Sequence, residues 1–221
     1  MGTYPPIPEG SGIVDLVALA RSAGFAVLRG GGPAALEHTL RELGDVLYIE
    51  EVETRADSRA LVTSERALPP HTDHHRARWI VWVCSHQADR GGDSLVVDGF
   101  EVLALLTRQH QEVLTRIQLI EHSVFAGDME RHAMLTRRPD GRTHLYYSYW
   151  LAEDTMPAEE QAAFDAFTDA VRVATQHRSR LRPGDLLVVD NHRVLHGRTA
   201  IERGHRHLTR YWLEERASGG R

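Results

Sequence analysis

Arg182-Pro183-Gly184-Asp185-Leu186-Leu187-Val188-Val189-Asp190-Asn191-His192-Arg193-Val194-Leu195-His196-Gly197 is the stretch that decides how this chain folds. A Pro-Gly turn opens it. Residues 185–190 then read as a buried strand, and His196 follows on its far side. Similar short strand signals recur at 78–85, 94–98, 117–126, 143–149 and 207–214. Helical stretches interrupt them at 99–116 and 158–176, and Gly91-Gly92 and Asp140-Gly141 mark further turns. Many short strands joined by Gly-rich turns predict a mainly β protein with flanking helices, a sandwich or jelly roll, rather than an alternating parallel sheet. Ahead of them, residues 13–23 have helical spacing and Gly24 stops the helix. Phe25-Ala26-Val27-Leu28 reads as a strand, and Pro33 opens a second helix through about Leu43. The expectation is one domain over 1–221, with a helix-strand-helix brace at 11–50 and a β core at 60–215.

Composition narrows the function. With 221 residues, 42% of them apolar, the chain can bury a real core. Its net charge of −5 argues against a nucleic-acid partner. All 26 basic residues are arginine. A Schiff-base lysine and a phosphate-loop lysine are therefore excluded. Cys84 is alone, which rules out an internal disulfide or a Cys-rich zinc site, and its apolar setting from Trp79 to Val83 predicts burial. That run is too short to cross a bilayer, and the first residues lack a charged-then-apolar leader pattern, so no membrane association and a cytoplasmic location are expected.

The chemistry concentrates at Pro69-Pro70-His71-Thr72-Asp73. In extended backbone, residues two apart share a face, so His71 and Asp73 converge on one point. His196 can supply a second imidazole. Two histidines and one carboxylate leave the opposite side of an octahedral metal open, as in non-haem iron(II) oxygenases. An H-x-D triplet alone is common, and the surrounding residues give this one its weight.

Three blocks carry a resemblance: PPHTD at 69–73, GGDSLVVDG at 91–99, and RPGDLLVVDNHRVLHGRTA at 182–200 followed by RHLTRYWLE at 206–214. With GFAVLRG at 24–30, the chain resembles the taurine and 2,4-dichlorophenoxyacetate dioxygenase family of iron(II)- and 2-oxoglutarate-dependent enzymes. The resemblance implies a double-stranded β-helix, a cupin-like jelly roll. It implies iron(II), 2-oxoglutarate and O2 as cofactors, with His71, Asp73 and His196 as metal ligands. It places Arg210, 14 residues after His196, at the far carboxylate of 2-oxoglutarate with Ser94 assisting, and Arg206 near the metal-side carboxylate.

The implied activity is hydroxylation of an unactivated C–H bond of a small polar, amino-acid-like or carboxylate-bearing metabolite, with release of succinate and CO2. Asp73 favours hydroxylation over halogenation, because related halogenases lack this carboxylate. A desaturase or cyclase would share the same cofactors. A zinc hydrolase and a non-catalytic small-acid-binding β-helix protein are the rivals from other classes. His74 and Arg131 are the candidate substrate contacts, Arg131 from a stretch at 124–150 expected to line or cover the site. The oligomeric state is not legible in the sequence.

Overall fold

The computed structural model describes residues 4–139, 141–152 and 155–216. Of the turn signals, Asp140 lies outside the described residues, while Gly91, Gly92, Gly141 and Gly184 all take the positive φ their turns require.

Ten of the strands make two sheets. The larger has six in the order Glu9–Gly10, Phe25–Leu28, Leu186–Asp190, Trp79–His86, His207–Glu214 and Asp45–Glu53. The smaller has four: Gln176–Ser179, Ser94–Asp98, Val194–Arg198 and Leu68–His71. All neighbours are antiparallel except the first pair of the larger sheet. Leu68–His71 lies at an edge, where Pro69 and Pro70 lose no ladder bond by lacking an N–H.

The period-2 alternation of each strand separates three cores. Ile80, Trp82, Leu187, Val189, Leu208 and Trp212 face Val96 and Val194 across the interior between the sheets. Their neighbours Val81, Val188 and Leu213 turn outward and are covered by Leu16, Val17 and Leu43 of the helices Ile13–Ala23 and Gly32–Leu43. On the far side, Val97 and Leu195 pack against Phe164 and Phe167 of the helix Ala158–Val173. Both faces of the central strands are therefore apolar, which is why 186–189 carries no polar alternation.

Several expectations are corrected. The stretch 99–116 is two helices, Gly99–Ala104 and Arg108–Leu114. Thr107 restarts the chain as the N-cap of the second helix, as Asp98 caps the first, each accepting a backbone N–H. The helix from 158 ends at Val173, and Gln176–Ser179 is a strand. The strand expected over 117–126 is only Gln118–Ile120. Phe25–Leu28 is the strand between the helices Ile13–Ala23 and Gly32–Leu43. It pairs with Leu186–Asp190 inside the larger sheet. The strand Asp45–Glu53, acidic and half-exposed at the sheet edge, is an addition to the expected strands.

Candidate metal centre

Strand alternation places the site. His196 follows Val194 by two residues, so it points into the interior between the sheets. His71 is its cross-strand partner. Asp73 lies just past the end of the same edge strand. Asn191 holds it there: its Oδ1 accepts the Asp73 N–H at 2.7 Å, while its Nδ2 donates to the carbonyls of His74 and Ala77. Gly197 lets the two strands meet, since a Cβ there would stand 2.4 Å from the Leu68 carbonyl oxygen.

One donor atom from each of His71, Asp73 and His196 falls within 4.8 Å of the others, and all three side chains are buried. His71 Nε2 lies 3.7 Å from one Asp73 oxygen and His196 Nε2 lies 3.5 Å from the other. His71 Nδ1 sits 2.9 Å from the Pro69 carbonyl, which assigns the proton to Nδ1 and leaves the Nε2 lone pair facing Asp73. His71 Nε2 and both His196 nitrogens are buried without a hydrogen-bond partner. Buried imidazole nitrogens aimed with a carboxylate at one point are the donor set of a divalent metal, so the residues present fit the ion.

Electrostatics prepare the same state. Burial pushes the Asp73 carboxyl up, but Arg210 and His196 outweigh it and hold the group well below the usual carboxylate range. Burial pushes His196 down to about 4, against the pull of Asp73. At neutral pH the site therefore presents a carboxylate and neutral imidazole.

A deep pocket runs from His71 and His196 to Ser94, Arg198 and Arg206. Ser94 lies two residues from Val96, which pairs with His196, so its hydroxyl stands roughly 7 Å along the same face. Arg206 Nη2 donates to Ser94 Oγ at 2.8 Å. Among the described residues neither Arg198 nor Arg206 has a carboxylate at ion-pair distance. Burial lowers Arg206 to about 9 and Arg198 to about 10.

Arg210 lines the same pocket, where its guanidinium donates to both Asp73 oxygens, at 3.0 and 2.8 Å, and also pairs with Glu50; Ser94 is contacted by Arg206. Trp212 Nε1 donates to Asp73 at 2.9 Å. A second opening beside the cluster is lined by His71, Asp73, His122, Val124, Trp150 and Arg210. The two candidate substrate contacts are not there. His74 is fully buried with its Nε2 toward Asp128 at 3.3 Å, and Arg131 lines a separate basic cavity with His75 and His132. Asn191, Arg198 and His122 were not singled out by sequence reading, although Asn191 and Arg198 lie inside the 182–200 block, and Trp150 ends the 124–150 stretch expected to line or cover the site.

Two facing sheets with two histidines and a carboxylate converging between them define a jelly-roll protein with a candidate mononuclear metal centre. The chain belongs to the taurine catabolism dioxygenase TauD, TfdA family, whose sequence model matches residues 9–212. It is 26% identical over 174 residues to the gamma-butyrobetaine dioxygenase of Homo sapiens, an alignment covering 70% of this chain and 45% of that protein. The chain thus spans about half the length of the curated relatives it matches. Among solved structures, it is similar to asparagine oxygenase in complex with Fe(II), 3-hydroxyasparagine and succinate (TM-score 0.73, 19% identity, 91% of this chain and 78% of that one). It is also similar to the non-haem iron oxygenase OrfP in complex with Fe and alpha-ketoglutaric acid (TM-score 0.69, 16% identity, 89% and 76%). A third is PvcB from Pseudomonas aeruginosa (TM-score 0.66, 20% identity, 92% and 80%). At these identities the structural likeness shows a shared fold.

Proposed function

We propose that this chain is an iron(II)- and 2-oxoglutarate-dependent oxygenase that hydroxylates a C–H bond of a small amino-acid-like or carboxylate-bearing substrate. The observation that carries the reading is the convergence of His71, Asp73 and His196 beside a pocket where, among the described residues, the buried Arg198 and Arg206 have no carboxylate at ion-pair distance. In this reading the three side chains hold iron(II), which supplies O2 activation coupled to decarboxylation of 2-oxoglutarate to succinate.

The far carboxylate of 2-oxoglutarate goes to Arg206 and Ser94, with Arg198 adding charge. Arg206 takes the role that sequence reading gave to Arg210, because Arg206 is the arginine that touches Ser94. A buried guanidinium without a counter-ion gains most from an incoming carboxylate. Arg210 steadies Asp73 and reaches the second opening, where it offers a cation to an acidic group of the substrate. Trp150 packs on His71 with ring centroids 4.9 Å apart and shields that side from water. The family membership supports the cofactors. The 3-hydroxyasparagine bound by asparagine oxygenase supports an amino-acid-like substrate.

The test is anaerobic addition of iron(II) and 2-oxoglutarate to the purified protein, followed by O2 and assay of succinate. A visible charge-transfer band and substrate-stimulated succinate release are expected. Both disappear in His196→Ala. Binding of metal with neither band nor succinate overturns the oxygenase reading and favours a hydrolytic or binding role.

A further inference from the structure

A second group of ligating side chains lies outside this centre. One ring nitrogen of His74, one of His75 and a Glu121 oxygen lie within 4.8 Å of one another. His74 and His75 come from the turn after Asp73. Glu121 comes from the hairpin whose strands are Gln118–Ile120 and Arg131–Ala133. Glu121 is buried, and its Oε1 accepts the Glu130 N–H at 3.1 Å, which fixes the carboxylate. Its Oε2 then faces His75 Nδ1 at 3.3 Å and His132 Nε2 at 2.8 Å. His74 is fully buried; its Nε2 lies 3.3 Å from Asp128, and neither that nitrogen nor His75 Nδ1 makes a hydrogen bond of normal geometry.

We propose that His74, His75 and Glu121 form a second divalent-metal site of the zinc type, with His132 holding the Glu121 carboxylate in place. Two imidazole nitrogens and one carboxylate oxygen suit a borderline ion, and a fourth position is open to water from the cavity that His75 and His132 line. His132 beside Glu121 is the kind of outer contact that orients a ligating carboxylate. Binding through His74 Nε2 puts the ring proton on Nδ1, so the 3.2 Å contact from the Arg76 N–H opens on loading.

The position gives the site a consequence. It joins the turn that carries Asp73 to the hairpin whose tip covers the interior. Val124 of that tip lines the opening at His71, and Phe125 packs edge-on against His74 and Trp212. A metal bridging the two segments therefore fixes the wall of the substrate opening. The inference stands on residues the iron reading does not use.

The test is equilibrium dialysis of metal-free protein against zinc(II), with bound metal per chain read by elemental analysis. Wild type is expected to bind two equivalents. His196→Ala and His75→Gln are each expected to bind one, and the double variant none. Zinc added to His196→Ala should slow amide hydrogen exchange across 119–131 at least tenfold, and Glu121→Gln in that background should abolish the slowing. A single equivalent in wild type, or an undiminished count in His75→Gln, overturns the proposal. So does unaltered exchange across 119–131. Two equivalents in His196→Ala would instead strike at the first centre and leave the second standing.

Discussion

Asp73 is held by more groups than any ligand needs for its own folding. Its N–H goes to Asn191, and its carboxylate receives Arg210 and Trp212. Asn191→Ala removes the clamp and leaves the buried Asp73 N–H unsatisfied. It should cost about 1–3 kcal/mol of stability and weaken iron(II) binding by roughly 10- to 100-fold, read by urea unfolding and metal titration. The two arginines separate in a paired experiment. Arg206→Met should raise the KM for 2-oxoglutarate by roughly tenfold or more, the loss of a charged hydrogen-bonding partner. It should leave the Tm of the metal-free protein unchanged or higher, because it removes a buried cation without a counter-ion. Arg210→Met should instead weaken metal binding and substrate use, with a smaller effect on 2-oxoglutarate. The reverse pattern would return Arg210 to the far carboxylate.

At the level of elements, the site is a product of strand register. Val194 and His196 share one face, as do Ser94 and Val96, and Leu208, Arg210 and Trp212 share the inner face of the larger sheet. A slip of one residue in any of these strands would turn the functional side chain outward. At Gly197, between the two ligand-bearing strands, the close neighbours are backbone atoms that cannot swing aside. Gly197→Ala is expected to cost about 1–3 kcal/mol through overpacking and to separate His196 from His71. Urea unfolding checks the first effect and iron(II) affinity the second. An unaltered affinity would show that the 194–198 strand tolerates the shift.

For the whole molecule, neutral histidines that are buried or half-buried set the response to acid. Burial pushes His122 and His196 to about 4 and His144 to about 3. In an unfolded chain they titrate near 6.5. Between those values the unfolded state binds more protons, so stability is full above about pH 6.5 and falls as the pH drops towards 4. Asp73, held below its ordinary value, adds a further loss at still lower pH. The urea midpoint of the metal-free protein should therefore decline steadily from pH 7 to pH 5. A flat midpoint over that range would mean these rings are hydrated in the native state. Among the described residues no helix is long and apolar enough to cross a membrane.

Sequence alone determined the β-rich class and the central strands near 25–28, 79–86, 94–98, 186–190 and 207–214, because apolar runs bounded by turn residues are a local signal, and its motif blocks named His71, Asp73 and His196 as the donors. It also determined the helix Ile13–Ala23 and its Gly24 stop, because a left-handed cap is a local requirement. Tertiary structure decided the rest. The strand Asp45–Glu53 exists through its pairing with His207–Glu214, a contact about 160 residues distant. Four residues separate Arg206 from Arg210, and nothing in that spacing says which one meets Ser94. Arg206 precedes the strand and Arg210 lies within it, opposite Trp82. His74 was set beside the opening by its adjacency to Asp73, yet the turn sends it beneath the 118–133 hairpin to Asp128. Adjacency in the chain fixes distance along the backbone but not direction, and side-chain direction is set by strand register and by what packs on top.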